Sequence, residues 1–222
     1  MTVGIEGQSW FGFTCAMERG PYAKGVAKRE EILATALEVV SQRGFGGASV
    51  KELADAVGLT PAGLLHYFGS KEELFLQVLR KRDELDLARI APDQRIDPAE
   101  LAAGFVALVR HNAQVPGLVA LFSRMAAAAD EPSSPAHDYF SARGTELRAR
   151  IADAVARLQA DGRIGDRVRP EVFARMLQAV SDGLQLQWLV DPDFDMGAVV
   201  ESLFDLASGG DPQLDPGSLG DS

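Results

Sequence analysis

The chain has 222 residues, of which 46 % are hydrophobic and 24 % are charged, and its net charge is −10. This ordinary globular composition, with Cys15 as the single cysteine, excludes a scaffold stapled by internal disulfides and fits a reducing, cytoplasmic location. Alanine, leucine and arginine dominate while runs of β-branched or aromatic residues are scarce, so we predict an all-α fold of about nine helices.

Residues 1–23 hold aromatic side chains among glycines, without a basic start followed by a sustained apolar run. We therefore expect neither a signal peptide nor a membrane span there, and predict a disordered extension. The first helix is predicted over residues 25–42, where apolar residues form one stripe. The glycine-rich loop 44–47 ends it, and Phe45 is expected to fill the small core beneath.

The next stretch predicts a short helix that stops sharply. Ser49 followed three residues later by Glu52 is the sequence of a capping box, which starts a helix. Ala54 is small enough to let a neighbouring helix approach. Gly58 ends the helix, because glycine adopts the left-handed conformation without a steric penalty.

A second short helix follows almost at once, over residues 61–67. Thr60 is a good N-cap, and Pro61 suits the first helical position, where its missing N–H costs nothing. Leu64 and Phe68 then turn inward. Two helices joined by a tight glycine-containing turn form a helix-turn-helix, whose second helix fits the major groove of DNA.

The rest of the chain predicts six more helices. Ser70 with Glu73 is a second capping box, and the helix that it starts runs to residue 90, long enough to carry a displacement between two parts of the protein. Prolines delimit most of the others, predicted over residues 98–114, 116–129, 135–161, 170–190 and 194–207. The predicted regions are 1–23, an extension; 24–69, the helix-turn-helix domain; 70–207, a second helical domain; and 208–222, a disordered tail.

These residues resemble the DNA-binding domain of the TetR (tetracycline repressor-like) family of transcriptional regulators. The matching elements keep the family's spacing: Arg43-Gly44-Phe45, the Ser-capped helix with Lys51, Leu53 and Ala54, then Gly58-Leu59-Thr60, His66-Tyr67-Phe68 and Ser70-Lys71-Glu72-Glu73-Leu74. The resemblance covers residues 24–82, and beyond them only the order and length of the helices match. It implies a DNA-binding domain followed by a helical domain for ligand binding and dimerisation.

The resemblance also implies a set of DNA contacts. Its members are Ser49, Lys51, Thr60, Pro61, Ala62, Gly63, Leu65, His66, Tyr67 and Lys71. We expect the hydroxyl and lysine side chains to contact phosphates and His66 to contact base edges, while Lys51 can reach either. Lys24, Lys28 and Arg29 are further candidates for phosphate contacts, and residues 1–23 are alternatively an aromatic arm that packs on the protein or on DNA.

The pattern departs from the family at two positions. Many members carry a hydroxylated residue in place of Gly63 and a tyrosine in place of Leu65, so this helix has fewer hydrogen-bond donors. We therefore expect recognition of DNA shape to matter more. Structural alternatives stay open as well. Tyr67 and His66 can simply cover the three-helix core, and Lys71 can be a solvated lysine.

The charge of the chain separates along its length. Residues 24–81 hold eight Lys or Arg against seven Asp or Glu, whereas residues 82–222 hold thirteen against twenty-three. An excess of one positive charge is a weak signal, so the prediction of DNA binding depends on the motif.

The last two predicted helices carry more apolar surface than one amphipathic face needs. The resemblance implies that they pair with their copies in a homodimer, which presents two recognition helices to a pseudo-palindromic operator. The alternative is that they only close a monomeric core. The predicted interface consists of Phe173, Met176, Leu177, Val180, Leu184, Trp188, Val200, Leu203 and Phe204.

The helices before them offer apolar inner faces with a few polar groups, the usual composition of a small-molecule site. We predict that a small, largely apolar effector binds there and releases the DNA. The candidate residues are Phe75, Leu79, Phe105, Leu108, His111, Phe122, Met125, Phe140, Gln178 and Asp182. Each apolar member can instead be an ordinary core residue.

An enzyme is the main alternative class. His66, His111 and His137 are isolated in the sequence, which also lacks a metal-ligand cluster, a phosphate-binding glycine loop and a nucleophile elbow. We therefore predict no catalytic residue, metal or cofactor. A helical protein-interaction module without DNA binding stays open, supported by the sparse recognition helix. Repression is favoured over activation by the family resemblance alone.

Overall fold

A computed structural model describes residues 21–43, 48–90, 96–97 and 100–209. All regular structure in these ranges is helical, which confirms the all-α prediction. The elements are α1 (Pro21–Arg43), α2 (Val50–Ala56), α3 (Pro61–Phe68), α4 (Lys71–Ile90), α5 (Leu101–Asn112), α6 (Pro116–Ala127), a 3₁₀ turn (Ala128–Asp130), α7 (Pro135–Ala160), α8 (Pro170–Trp188) and α9 (Met196–Ser208).

The caps and the turn of the helix-turn-helix form as predicted. The Ser49 hydroxyl accepts from the backbone N–H of Glu52 at 3.2 Å, and the Glu52 carboxylate accepts from the N–H of Ser49 at 2.8 Å. Gly58 has a φ of +67°, in the left-handed region. Thr60 accepts from the N–H of Gly63 at 3.1 Å and so caps α3.

Several boundaries differ from the prediction. Helix α1 begins at Pro21, so residues 21–23 belong to a helix, while residues 1–20 and Phe45 lie outside the described ranges. Ser70 accepts from the N–H of Glu73 at 3.0 Å, but the Glu73 carboxylate accepts from Gln77 and Arg80 further along α4. Only the Ser70 half of the second predicted capping box therefore appears among the described contacts.

The helix-turn-helix shares its core with later helices. Leu53 on α2 and Leu64 on α3 are buried in the same cluster as Leu79 on α4 and Leu121 on α6. Helix α1 packs on both α4 and α6. The predicted boundary after residue 69 thus does not separate two cores.

A second core lies between α5, α7, α8 and α9. It contains Phe105, Val155, Phe173 and Phe204, and α8 packs along α7 while α9 packs along α5. Arg110 on α5 forms an ion pair of 2.9 Å with Asp195, the N-cap of α9. This core fixes one face of α8 and leaves its other faces to the cavity and the surface.

Within the described ranges, no single helix combines the length and the apolar composition needed to cross a membrane. The pair Leu101–Asn112 and Pro116–Asp130 passes that test only together, and it is bent by 99°.

Candidate functional site

Helix α3 lies on the first core with one face and leaves the other open. Leu64 and Phe68, one turn apart, are buried, and Leu64 has no exposed surface. On the opposite side, Pro61, Ala62 and His66 are exposed. A short capped helix with its outer face free is the geometry that places side chains near a helix N-terminus in a DNA groove.

The structure brings the ten predicted DNA-contacting residues to the surface of α2, α3 and the start of α4. Gly63, Leu65 and Tyr67 are half-buried, and the other seven residues are exposed. Tyr67 packs partly on the first core, and its ring meets His66 edge-on at 6.4 Å between centroids. It therefore combines a structural contact with an accessible position.

The presence of glycine at position 63 has a local structural explanation. A Cβ at this position would lie 3.2 Å from the Thr60 Oγ1 atom, which is the atom that caps α3 through the Gly63 N–H. Glycine thus gives the cap room at the cost of about 1 kcal/mol of helix propensity. The departure from the family pattern coincides with this close approach.

The three basic residues predicted at the start of the first helix have different surroundings. Lys24 is exposed, and Lys28 pairs with Glu31 at 2.7 Å. The Arg29 guanidinium lies 5.1 Å from the centre of the Phe68 ring, so it covers the end of α3 from the side of α1. Arg29 therefore couples the first helix to the recognition helix.

A cavity of about 670 Å³ lies between α4, α5, α7 and α8. One wall is apolar and is formed mainly by Leu87, Ile90, Phe105 and Leu108. The rest of the lining, on α4, α7 and α8, is mostly polar and contains four arginines and six carboxylates. The volume suits a small molecule, but the lining is more charged than the predicted apolar pocket.

Asp83 is the centre of the charged wall. Its carboxylate accepts hydrogen bonds from the Tyr139 hydroxyl, from Arg143 Nε at 2.9 Å and from Arg82 Nη2 at 3.4 Å. Burial and the neighbouring Asp83 raise the pKa of Tyr139, which keeps this phenol protonated. Arg82 and Arg143 each lie 4.9 Å from the Phe122 ring, so the cluster is fixed from below by an aromatic side chain.

Two further carboxylates of the wall are less well compensated. Asp86 is buried, with Arg89 at 3.4 Å and Arg82 at 3.6 Å. Asp182 accepts only a long bond of 3.4 Å from Gln178 among the described contacts. Burial raises the pKa of both carboxyl groups above the ordinary aspartate value.

The predicted effector residues divide between the cavity and the cores. Phe105, Leu108, Gln178 and Asp182 line the cavity. The others are not part of its lining: Phe75, Leu79, Phe122, Met125 and Phe140 pack in or against the first core, and His111 is half-buried on α5.

Sequence reasoning missed most of the polar wall because it searched for apolar residues. It assigned no site role to Arg82, Asp83 and Asp86 on α4, or to Ser181 and Gln185 on α8. A signal existed, since Ser181 and Gln185 continue the stripe of Gln178 and Asp182 at helical spacing. The charges on α4 gave no such signal, because exposed charges are usual on a long helix.

The predicted dimer residues are mostly covered by the chain itself. Phe173, Leu177, Leu184, Trp188, Val200 and Phe204 are buried in the second core, Val180 and Leu203 are half-buried, and Met176 is exposed. The available apolar surface lies on another face of α8, which carries Val172, Met176, Ala179, Gly183 and Leu186, and continues to Val190 in the turn that follows the helix. We call these six residues the outer face of α8.

Two family models match the chain. The N-terminal model for bacterial regulatory proteins of the tetR family matches residues 32–78, and the C-terminal model for BetI-type transcriptional repressors matches residues 112–207. The chain is 42 % identical over 77 residues to the HTH-type transcriptional regulator RutR of Escherichia coli (strain K12), which covers 35 % of this chain and 36 % of that protein. The chain thus spans about a third of the length of this curated relative.

Solved structures share the fold over nearly their whole length. A TetR transcription regulator from Haloarcula marismortui ATCC 43049 has a TM-score of 0.68 at 18 % identity, over 83 % of this chain and 97 % of that one. The regulator FadR from Bacillus subtilis, in complex with stearoyl-CoA, has a TM-score of 0.63 at 16 % identity, over 82 % and 98 %. With a helix-turn-helix and a C-terminal domain that both match its models, this chain belongs to the TetR family of bacterial regulatory proteins.

Proposed function

We propose that the protein is a ligand-responsive transcriptional repressor that binds a pseudo-palindromic DNA operator as a homodimer. The observation that carries the proposal is α3, which is capped by Thr60, anchored by Leu64 and Phe68, and open on its outer face. The exposed Lys51 and Lys71 flank it and supply positive charge for phosphates. Such a protein acts in the cytoplasm, where its operator lies.

The outer face of α8 supports the homodimer. Its five helical residues repeat at intervals of three and four, so they share one side of α8, and all six residues are exposed or half-exposed in the single chain. Leu186 has 56 % and Val190 has 87 % of its surface exposed. The small Ala179 and Gly183 at the centre allow a second helix to approach closely, and Leu206 on α9 extends the apolar surface with 60 % exposure.

Helix α4 connects the two functions. Its first residue, Lys71, follows the recognition helix, while Arg82, Asp83 and Asp86, about three to four turns further on, line the cavity. A ligand that changes the position of α4 therefore changes the setting of α3. A coupling of about 1 to 3 kcal/mol changes operator affinity about 5- to 150-fold. FadR in complex with stearoyl-CoA is an example of a family fold with a bound small molecule.

The test is binding of the purified chain to the intergenic DNA beside its own gene, measured by fluorescence anisotropy against a scrambled duplex of equal length. We expect specific binding with a stoichiometry of two chains per site. The variant His66→Ala should reduce the free-energy difference between specific and non-specific DNA binding by about 1 to 3 kcal/mol. Ala103→Ser, an exposed change on α5, serves as the control.

Equal affinity for the operator candidate and the scrambled duplex, across several promoters, would instead support a helical protein-interaction module. Specific binding that survives complete replacement of the exposed α3 residues would also contradict the proposed use of this helix.

A further inference from the structure

Helix α8 has three faces of different chemistry. The outer face is apolar and exposed, and a second face packs in the core through residues such as Leu177 and Leu184. The third face turns to the cavity and is entirely polar, with Gln178, Ser181, Asp182 and Gln185 at intervals of three and four residues. The polar stripe of the helix thus points into the protein, where side chains need partners.

Several groups of this stripe lack a partner. Gln185 is only 4 % exposed, yet its side-chain carbonyl oxygen accepts no hydrogen bond, and the buried Ser181 hydroxyl has none either. Asp182 receives one bond of 3.4 Å from Gln178 and forms no ion pair with a described residue, although the charges of Arg143 and Arg82 act on it from a greater distance. The unmet requirement of Asp182 and Gln185 is for hydrogen-bond donors and, at Asp182, for positive charge.

The arginines of the cavity wall do not meet this requirement. Arg80 pairs with Glu73 at 3.0 Å, Arg143 with Asp83 at 2.9 Å, and Arg150 with Glu146 at 2.6 Å. The Nε and Nη1 atoms of Arg82 have no hydrogen-bond partner, but Nε lies 3.6 Å from the Asp86 carboxylate, and the side chain is buried between Asp83 and Asp86, where an anion would meet those two carboxylates. The described wall therefore offers a carboxylate without an ion-pair partner, Asp182, and no accessible arginine without one.

We propose that the cavity binds a small organic cation whose ammonium group carries N–H donors, with Asp182 as its counter-ion. The ammonium hydrogens bond Asp182 and, one turn further along α8, Gln185. The apolar body of the ligand lies against Leu87, Phe105 and Leu108, the apolar part of the same lining. This inference rests on the proposed function, because it names the chemical class of the effector of the same cavity.

The experiment compares matched probes by isothermal titration calorimetry with the full chain. The probes are ω-phenylalkylamines of increasing chain length, the corresponding alcohols, the corresponding carboxylates, and the N,N,N-trimethyl ammonium forms. We expect the amine of best length to bind at least about tenfold more tightly than its alcohol, as a charge-assisted hydrogen bond does. The trimethyl form should bind more weakly than the amine because it has no N–H donor.

Asp182→Asn should reduce the affinity for the amine about tenfold or more and leave that for the alcohol nearly unchanged. Asp166→Asn is the matched control, since it removes the same charge at an exposed site away from the cavity. Without any probe, Asp182→Asn should unfold at a higher temperature than the parent chain, because an uncompensated carboxylate is removed.

Tighter binding of the carboxylates, absence of binding by every amine, or an amine preference that persists in Asp182→Asn would each overturn the inference. DNA release is measured separately on the same preparations. If amine binding depends on Asp182 but the DNA complex stays intact, the cation site is supported and its role as an effector site is contradicted. Absence of specific DNA binding would reject the proposed function alone.

Discussion

The Ser134 hydroxyl donates a hydrogen bond of 2.9 Å to the Glu72 carboxylate, and this bond joins the start of α7 to the first turn of α4. The same hydroxyl oxygen accepts from the backbone N–H of Ala136 at 3.1 Å and so caps α7. One side chain therefore holds the cavity-lining helix α7 against the residue that follows Lys71. The helix that follows the helix-turn-helix and the helices around the cavity meet at this contact.

Ser134→Ala removes both bonds and should lower the free energy of unfolding by about 1 to 2 kcal/mol, the usual cost of losing a cap with a charge-assisted bond. Glu72→Ala removes only the bond between helices. In a double-mutant cycle by urea unfolding we expect a coupling of about 0.5 to 1 kcal/mol between the two sites. Strictly additive effects would show that the contact between α4 and α7 contributes nothing.

Lys51→Ala and Lys71→Ala should each weaken DNA binding for all sequences. Because each removes one phosphate contact, the slope of log K against log salt concentration should become shallower by about one unit. Arg163→Ala removes an equal charge at an exposed turn between α7 and α8 and should leave the slope unchanged. A similar change of slope in the Arg163 variant would indicate a general effect of net charge. It would contradict the assignment of phosphate contacts to Lys51 and Lys71.

Gly58→Ala should lower the free energy of unfolding by about 1 kcal/mol. A Cβ there meets nothing within 4 Å, so the cost comes from the positive φ of +67° alone. Gly25→Ala is the matched control: its site is equally empty, but it lies inside α1 with an ordinary φ, and the change should stabilise by about 0.5 to 1 kcal/mol. Thermal unfolding measures both, and equal effects of the two substitutions would refute the role of the turn.

The stability of the protein should depend on pH through two aspartates with opposite shifts. Burial raises the pKa of Asp182 above the ordinary 3.8, so the folded state keeps this proton to higher pH than the unfolded chain. The resulting stability is fully present below pH 3.8 and is lost as pH rises through the higher folded pKa. The stability of Asp182→Asn should therefore fall less steeply than that of the parent chain as pH rises above 3.8.

Asp195 provides the contrasting case. Burial alone would raise its pKa, but the Arg110 guanidinium and the backbone N–H of Gly197 outweigh burial and lower it. Its stabilisation is therefore present above the ordinary aspartate pKa and is lost as pH falls. Because asparagine keeps the N-cap and loses only the exposed ion pair with Arg110, Asp195→Asn should destabilise by at most about 1 kcal/mol at neutral pH and much less in acid. Chemical unfolding across pH, with both variants, checks the two signs.

Met176→Glu on the outer face of α8 should convert the protein to a monomer without unfolding it, because Met176 is 43 % exposed in the single chain. Ala103→Glu places the same charge at an exposed position of α5 and should leave the dimer intact. Sedimentation equilibrium distinguishes them. A dimer that persists in the Met176 variant would move the interface away from this face.

Local signals in the sequence predicted the helix-turn-helix well. The caps at Ser49 and Thr60 and the left-handed Gly58 depend on neighbours within a few residues, so their geometry follows from the residue types. The predicted apolar anchors Leu64 and Phe68 are also buried. These features need no knowledge of the rest of the chain.

Long-range packing limited the prediction of the second half. Periodicity showed that α8 has apolar residues on several sides, but it could not assign Phe173 and Leu177 to the core and Val172 and Met176 to the surface. That assignment depends on where α7 and α9 lie. The charged cavity was missed for the same reason, since the half-buried Asp83 gains its 2.9 Å ion pair only when α7 brings Arg143 to it.

The shared burial of Leu64 and Leu121 also bears on protein engineering. A chimera that joins residues 1–69 to another regulator would lack the apolar residues of α4 and α6 that share a core with α2 and α3, so the junction is better placed elsewhere. New operator specificity is more readily obtained by substitutions at exposed positions of α3, which leave that common interior untouched.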